Sequence, residues 1–127
     1  MDQNTIEFLV AEWDEVYKKG QLSLWMLLAI YEGEKHTAQI ADFMKQATDG
    51  SFEVREQSLY RALRRFNNMG LVQVTTRGTT KKGPSLKYYK LTDGGEEVLR
   101  RFIAMNVRPL FNPNIVKIFK KMEKKHE

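Results

Sequence analysis

Two helical patterns open the chain. Apolar residues recur every three or four positions over residues 5–19, and this spacing predicts an amphipathic helix that ends at Gly20. Residues 22–32 are apolar nearly all round, which is typical of a helix buried on several sides, and Gly33 is expected to follow its C-terminus. The apolar stripe of the first helix consists of Ile6, Leu9, Val10, Trp13, Val16 and Tyr17.

A shorter and a longer helix are predicted next. Thr37 is expected to cap a helix that reaches about residue 45, and turn-forming residues follow at 48–51. A longer helix is predicted over residues 55–69, with Gly70 at its end. The inward side chains are expected to be Ile40, Phe43, Met44 and Ala47 in the short helix, and Leu59, Ala62, Leu63, Phe66 and Met69 in the longer one.

The pattern then changes to that of a β-hairpin and returns to helix. Residues 71–76 alternate and carry β-branched side chains, a flexible basic loop spans residues 77–85, and a second strand is predicted over 86–91. Thr92 is expected to cap a further helix whose inner face holds Val98, Leu99, Phe102, Ile103 and Met105. Pro109 and Pro113 mark a break before a last amphipathic helix with Ile115, Val116, Phe119 and Met122 inward.

This order of elements predicts the fold. Three helices followed by one hairpin and another helix indicate a mostly α (α+β) protein, a winged helix-turn-helix with a two-stranded β-wing and extra N- and C-terminal helices. We divide it into an N-terminal amphipathic helix at residues 1–19 for packing or dimerisation, a winged-helix DNA-binding domain at 20–92, and C-terminal helices at 93–127 for dimerisation.

Composition limits the classes of function. At 127 residues the chain forms one domain, and its net charge of +5 with a pI near 9.5 is compatible with a polyanionic partner. With no cysteine, disulfides and thiolate metal sites are excluded. The acidic N-terminus does not resemble a signal peptide and the longest apolar run is too short to span a bilayer, so we expect a cytoplasmic protein without membrane contact.

Catalytic and cofactor motifs are not found. Gly78 and Gly83 have the spacing of a phosphate-binding loop, but Pro84 stands where the essential lysine belongs. His36 and His126 are isolated, and no His, Asp or Glu cluster has metal-ligand spacing. We therefore expect neither an enzyme nor a bound cofactor.

The predicted helix 55–69 carries a polar stripe opposite its apolar one. Gln57, Arg61, Arg64 and Asn68 follow one another at steps of four, three and four, and Arg and Gln pair bidentately with guanine and adenine edges in the major groove. Ser58 and Tyr60 lie beside this stripe and are included among the expected DNA contacts. The alternative is a solvated helix surface with no ligand.

The hairpin is basic. Arg77, Lys81, Lys82, Lys87 and Lys90 occur within residues 77–90, which contain no acid, so we expect the wing to contact the DNA backbone or minor groove. Tyr88 and Tyr89 point to opposite faces of their strand; one is expected in the core, and Tyr88 is the better candidate for DNA. The alternative is a basic loop that prevents edge-to-edge pairing.

Several blocks resemble the PadR family of transcriptional regulators. They are HTAQI at residues 36–40, SLYRALRRF at 58–66, NNMGLV at 67–72 and KYYKLTDGGEEVL at 87–99. The resemblance spans about residues 20–99 and implies a winged-helix DNA-binding repressor. Departures from the family pattern lie near the expected DNA face, so the operator cannot be inferred from relatives; they are Thr37, Ala38, Glu56, Gln57 and Arg61.

The terminal segments suggest assembly. Residues 1–16 hold five acids and no Lys or Arg, whereas residues 117–127 hold five lysines and two acids, so the two ends have complementary charges. We expect a homodimer formed by the first and last helices, as the resemblance also implies; the alternative is that both helices pack on their own core. Two recognition helices would read an inverted repeat with half-sites about 34 Å apart.

Two further hypotheses concern ligands. An aromatic small-molecule effector, suggested by the resemblance, would bind near the dimer seam, although core packing is the simpler interpretation of its five candidate residues: Trp13, Tyr17, Trp25, Phe102 and Met105. The rival function is a winged-helix protein-interaction module whose basic wing binds an acidic partner.

Overall fold

Five α-helices and one β-hairpin account for most of the described residues. The structure is a computed structural model that describes residues 1–78 and 85–126. Its elements, in chain order, are α1 (Gln3–Tyr31), α2 (Thr37–Ala47), α3 (Glu56–Asn68), β1 (Val72–Arg77), β2 (Leu86–Leu91), α4 (Asp93–Asn106), a short 3-10 helix (Arg108–Phe111) and α5 (Pro113–Lys125). This order is that of a winged helix-turn-helix with additional terminal helices, as the sequence predicted.

The first helix is longer than the sequence indicated. It is a single 29-residue helix capped by Asp2, whose Oδ1 accepts a hydrogen bond from the Thr5 backbone N–H at 2.7 Å. The prediction that Gly20 ends a helix was wrong. A glycine inside a helix costs about 1 kcal/mol. Four buried residues of the same helix offset that cost by packing on the core: Met26, Leu27, Ala29 and Ile30.

Helix α2 begins one residue earlier than predicted. His36, not Thr37, is the N-cap, and its backbone N–H donates to Gln39 Oε1 at 3.1 Å. Ile40 and Met44 are fully buried, but Ala47 is exposed, contrary to its predicted inward position. The left-handed conformations of Asp49 and Gly50 (φ 51° and 78°) turn the chain toward α3.

The two strands pair antiparallel in a register that places Val72 opposite Leu91 and Arg77 opposite Leu86. Lys35, between α1 and α2, adds a single bridge on the free edge of β2, because its backbone exchanges two hydrogen bonds with that of Tyr89 (3.1 and 2.8 Å). The hairpin is therefore fixed to the α1–α2 connection by backbone contacts. Lys81 and Lys82, at the expected tip of the wing, lie outside the described residues.

The hairpin passes directly into α4. Thr92 caps α4 as predicted, with its hydroxyl accepting from Gly95 N at 2.9 Å and donating to Gly70 O at 2.7 Å. A Cβ at Gly95 would lie 2.0 Å from the Leu71 carbonyl oxygen, so the first turn of α4 packs on the backbone that leads into β1. Only a glycine fits there without displacement of the backbone.

The core lies where α1, α2, α3, the hairpin and α4 meet. Its fully buried large side chains are Phe66, Met26, Ile30, Ile40, Met44, Leu59 and Leu63. Of the predicted inner face of α4, Leu99 is buried and Ile103 half-buried, but three residues are exposed: Val98, Phe102 and Met105. These three were wrongly placed in the core because the core covers a narrower stripe of α4 than its apolar pattern suggested.

The N-terminal half of α1 and the whole of α5 lie away from this core. No residue of α5 is buried, and Ile6, Phe8, Trp13 and Val16 on α1 are exposed. Packing of both terminal helices on their own core, the alternative considered above, is therefore not what the single chain does. None of the helices in residues 1–78 and 85–126 is both long and apolar enough to cross a membrane.

Candidate nucleic-acid interface

Helix α3 has local signals that fix both of its ends. Its N-cap, Arg55, is extended, and Glu56 in the first turn suits the helix dipole. At the other end Gly70 adopts φ 77°, which lets Leu71 N donate to Phe66 O (2.9 Å) and Gly70 N donate to Asn67 O (3.1 Å). These two bonds form a Schellman motif, so the helix stops where the hairpin must begin.

The apolar stripe of α3 anchors the helix in the core. Leu59, Ala62, Leu63 and Phe66 are each at most 2 % exposed, whereas Met69, predicted inward, is 56 % exposed. Met69 is the C-cap, where the chain already leaves the helical path, so the helical periodicity does not apply to it.

The opposite stripe of α3 is open to solvent. Gln57, Arg61, Arg64 and Asn68 are all exposed, and Tyr60 beside them is 43 % exposed. The arrangement leaves the donors of both arginines free to meet an external ligand, since neither forms an ion pair with any described residue. Ser58 differs from the others: it is half-buried and lines a shallow cavity with Lys18 and Arg55.

The hairpin divides the predicted wing contacts between two faces. Lys87 and Tyr89 share one face of β2, and both line a groove with α3. Tyr88 and its cross-strand neighbours lie on the other face. Tyr89 is the core tyrosine, at 5 % exposed, and burial raises the pKa of its phenol above the usual value, with the nearby Tyr60 raising it further.

A cluster of side chains occupies the other face of the hairpin. The Arg77 guanidinium lies over the Tyr88 ring at 4.4 Å from its centroid, and His36 contacts the same ring edge-on at 5.3 Å between centroids. Arg77 Nη2 also lies 2.5 Å from Glu34 Oε2. Glu34 was not among the predicted site residues, and it partly neutralises Arg77 from 43 positions away in the chain.

Two other basic or polar residues near the site were not among the predicted contacts. Asn67 lines the groove between α3 and the hairpin, one turn after Arg64. Arg55, just before α3, lines the cavity that contains Ser58. A helical signal for Asn67 was available, since positions 60, 64 and 67 follow one stripe of an α-helix.

The five candidate effector residues do not share one cavity in the single chain. Trp13 and Tyr17 line a shallow depression of about 260 Å³ on α1, and Phe102 lines a separate cavity of about 330 Å³ between α1, α3 and α4. Trp25 is partly buried against the core, and its indole N–H has no hydrogen-bond partner among the described residues. Met105 is 75 % exposed. The effector site stays a prediction.

Metal binding has no support in the part of the chain that the structure describes. Residues 1–78 and 85–126 contain no group of three His, Asp or Glu side chains placed to hold a metal ion. The cationic side chains that face solvent on α3 and β2, among them Arg61, Arg64 and Lys87, are donors suited to an anionic ligand.

Comparisons with known proteins agree with this architecture. The family described as the transcriptional regulator PadR-like family matches residues 26–101. No curated protein sequence matches the chain significantly. A PadR-like transcription factor from Bacteroides fragilis is 27 % identical, with a TM-score of 0.65 over 84 % of this chain and 98 % of that one.

Two further solved structures share the fold. A PadR family transcriptional regulator from Eggerthella lenta is 22 % identical, with a TM-score of 0.68 over 91 % of this chain and 96 % of that one. Bacillus subtilis PadR, solved in complex with operator DNA, is 21 % identical, with a TM-score of 0.58 over 65 % of this chain and 46 % of that one. Because the family match covers more than half of the chain and all of the winged-helix core from residue 26 onward, this protein belongs to the PadR-like family of transcriptional regulators.

Proposed function

We propose that this regulator is a dimeric repressor that reads an inverted repeat, with α3 in the major groove and the wing, residues 77–90, on the backbone or minor groove. The observation that carries the proposal is the exposed stripe of Gln57, Arg61 and Arg64, held rigidly by the buried stripe on the other side of α3. The operator complex of Bacillus subtilis PadR supports the same use of the fold. The proposed set of DNA contacts also includes seven residues of α3 and the wing: Ser58, Tyr60, Arg77, Lys81, Lys82, Lys87 and Tyr88.

A gel-shift titration tests this function. The expected result is specific retardation of the DNA upstream of the protein's own gene, with random duplex of equal length bound more weakly and with a steep salt dependence. Equal affinity for the two DNAs at every salt concentration would contradict sequence-specific recognition.

The dimer is proposed from the exposed apolar side chains at both ends of the chain. Phe8, Trp13 and Val16 on α1 are 62–75 % exposed, and Phe119 and Met122 on α5 are 47 % and 64 % exposed. Burial of apolar surface of this kind is the usual driving force for association, and a second copy would supply the missing cover. Light scattering at micromolar concentration should give twice the chain mass; a monomer would refute the dimer.

An aromatic effector and an acidic protein partner are two further proposals, each with its own test. An aromatic molecule that binds beside Trp13 or Trp25 should quench tryptophan fluorescence in a saturable way.

If the protein is instead an interaction module, a polyanionic protein should bind the wing and compete with random DNA, while no DNA sequence is preferred.

A further inference from the structure

A polar groove lies between α3 and the hairpin. It has a volume of about 210 Å³, its walls are Tyr60, Arg64 and Asn67 from α3 and Lys87 from β2, and its floor includes Leu63 and Tyr89. Leu63 is 0 % and Tyr89 5 % exposed, so two buried side chains form the base of the groove.

The groove has the chemistry of an anion site. Its walls present one guanidinium, one ammonium, one carboxamide and one phenol, and none of the described residues that line it is acidic. Among the described residues, neither Arg64 nor Lys87 pairs with a carboxylate. The two cations therefore face one shared space and are free to bind an anionic group together.

The position of the groove indicates which anion it receives. A winged helix with α3 in the major groove and its wing toward the minor groove must straddle the sugar-phosphate strand that separates the two grooves. On this protein the space between those two elements is the groove of Arg64, Asn67 and Lys87.

We infer that this groove seats one phosphodiester of each DNA half-site, with Arg64 and Lys87 as its charged ligands and Tyr60 and Asn67 as hydrogen-bond donors. This assigns Arg64 to the backbone and leaves base reading to Gln57 and Arg61 on the adjoining stripe. The inference rests on the proposed function and names the part of the DNA that this site holds. Asn67 becomes a contact residue that the α3 stripe alone did not include.

Salt dependence separates this role from base reading. Arg64→Ala and Lys87→Ala should each reduce the slope of log K against log salt by about 1, and each should weaken operator and random DNA by the same factor. The matched controls are Arg65→Ala, next to Arg64 but on the side of α3 toward α1, and Lys90→Ala, on the opposite face of β2 from Lys87. Neither control lines the groove, so each should change the slope less than its partner.

A neutral phosphate locates the contact. In a series of operator duplexes, each with one phosphate replaced by methylphosphonate, one position per half-site should weaken binding of the wild-type protein much more than binding of the double variant Arg64→Ala/Lys87→Ala. The double variant keeps Tyr60 and Asn67 but has lost both charged ligands of that phosphate, so neutralising the phosphate should remove little further binding energy.

The outcomes distinguish this inference from the proposed function. If the wild-type protein binds no duplex DNA at low salt, both are wrong. If the wild type binds the operator but Arg64→Ala loses affinity only for the operator, or if every methylphosphonate weakens the double variant as much as the wild type, the phosphate seat is wrong and sequence-specific DNA binding stands.

Discussion

The guanidinium of Arg77 is held between Tyr88 and Glu34, 4.4 Å from the ring centroid of one and 2.5 Å from a carboxylate oxygen of the other. Glu34 belongs to the α1–α2 connection and Arg77 to the last position of β1, so the pair ties the start of the wing to the helical body. Arg77 therefore differs from Lys87, whose charge no described carboxylate balances.

The pairing predicts a small electrostatic role for Arg77 in DNA binding. Arg77→Ala should change the salt slope by much less than Lys87→Ala, and should cost about 1 kcal/mol of stability at most, since the pair is partly exposed. Glu34→Gln should steepen the slope by about 0.9, because it frees a cation beside the DNA. Titrations at four salt concentrations measure both. A slope loss for Arg77→Ala equal to that for Lys87→Ala would mean that Arg77 leaves Glu34 for a phosphate.

Arg61 is expected to read bases. Arg61→Ala should lower operator affinity by about 1–3 kcal/mol and leave random-DNA affinity nearly unchanged, because a bidentate contact to a base edge is lost without a phosphate contact. Competition titration against operators with single base-pair changes measures this, and the variant should lose discrimination at one position per half-site. Equal losses on operator and random DNA would contradict the role.

Two adjacent glycines offer a matched test of the hairpin–α4 junction. Gly95→Ala should lower the free energy of unfolding by about 1–3 kcal/mol, because its Cβ would meet the Leu71 backbone at 2.0 Å. Gly94→Ala should be neutral or stabilise by up to about 1 kcal/mol, since the nearest atom to its Cβ is 3.8 Å away and helix propensity favours alanine. Urea denaturation measures both. Similar midpoints for the two variants would show that the junction yields without cost.

Alkaline pH should destabilise the fold through Tyr89. Burial raises the folded-state pKa of this phenol above the unfolded value of 10.0, so its contribution is fully present below pH 10 and is lost as pH rises toward the folded-state pKa. Tyr89→Phe should reduce the fall in urea midpoint between pH 9 and about pH 11. Tyr31→Phe, at an exposed position, is the control, and its urea midpoint should fall between these pH values as much as that of the wild type.

The proposed dimer should depend on apolar side chains at both ends of the chain. Trp13→Glu or Phe119→Glu should convert the dimer to a folded monomer, since each places a charge in an apolar interface while leaving the core untouched. Glu12→Gln, exposed on the same helix, is the control. Light scattering and circular dichroism report mass and helix content. A dimer that persists in both variants would place the interface elsewhere.

Local signals predicted the winged helix well. The turn chemistry after α3, the alternation of the two strands and the Thr92 cap all depend on neighbours in the chain, and each was confirmed. The continuity of α1 through Gly20 was not predictable in this way, because it is decided by burial of its C-terminal residues, such as Met26 and Ile30, against other elements. Val98 and Phe102 were misplaced because periodicity identifies an apolar side of a helix but not what covers it.

The candidate site also has features that local sequence spacing predicts and features that depend on contacts between distant segments. The stripe of Gln57, Arg61 and Arg64 follows from helical spacing alone, and all three side chains are exposed. The pairing of Arg77 with Glu34 and the groove shared by Asn67 and Lys87 depend on contacts between distant segments, which no local pattern contains. Composition could indicate a basic wing, but it could not indicate which of the basic side chains pair with a carboxylate.

Helix α1, at 29 residues, measures about 43 Å from end to end, which is longer than one turn of duplex DNA. Its C-terminal half is part of the winged-helix core, whereas its N-terminal half is exposed. A movement of the exposed half would therefore be transmitted to the core as by a lever. In a dimer joined through this lever, a change in crossing angle at the far end would alter the separation of the two recognition helices. Gly20, in the middle of the helix, is where such a lever would bend most easily.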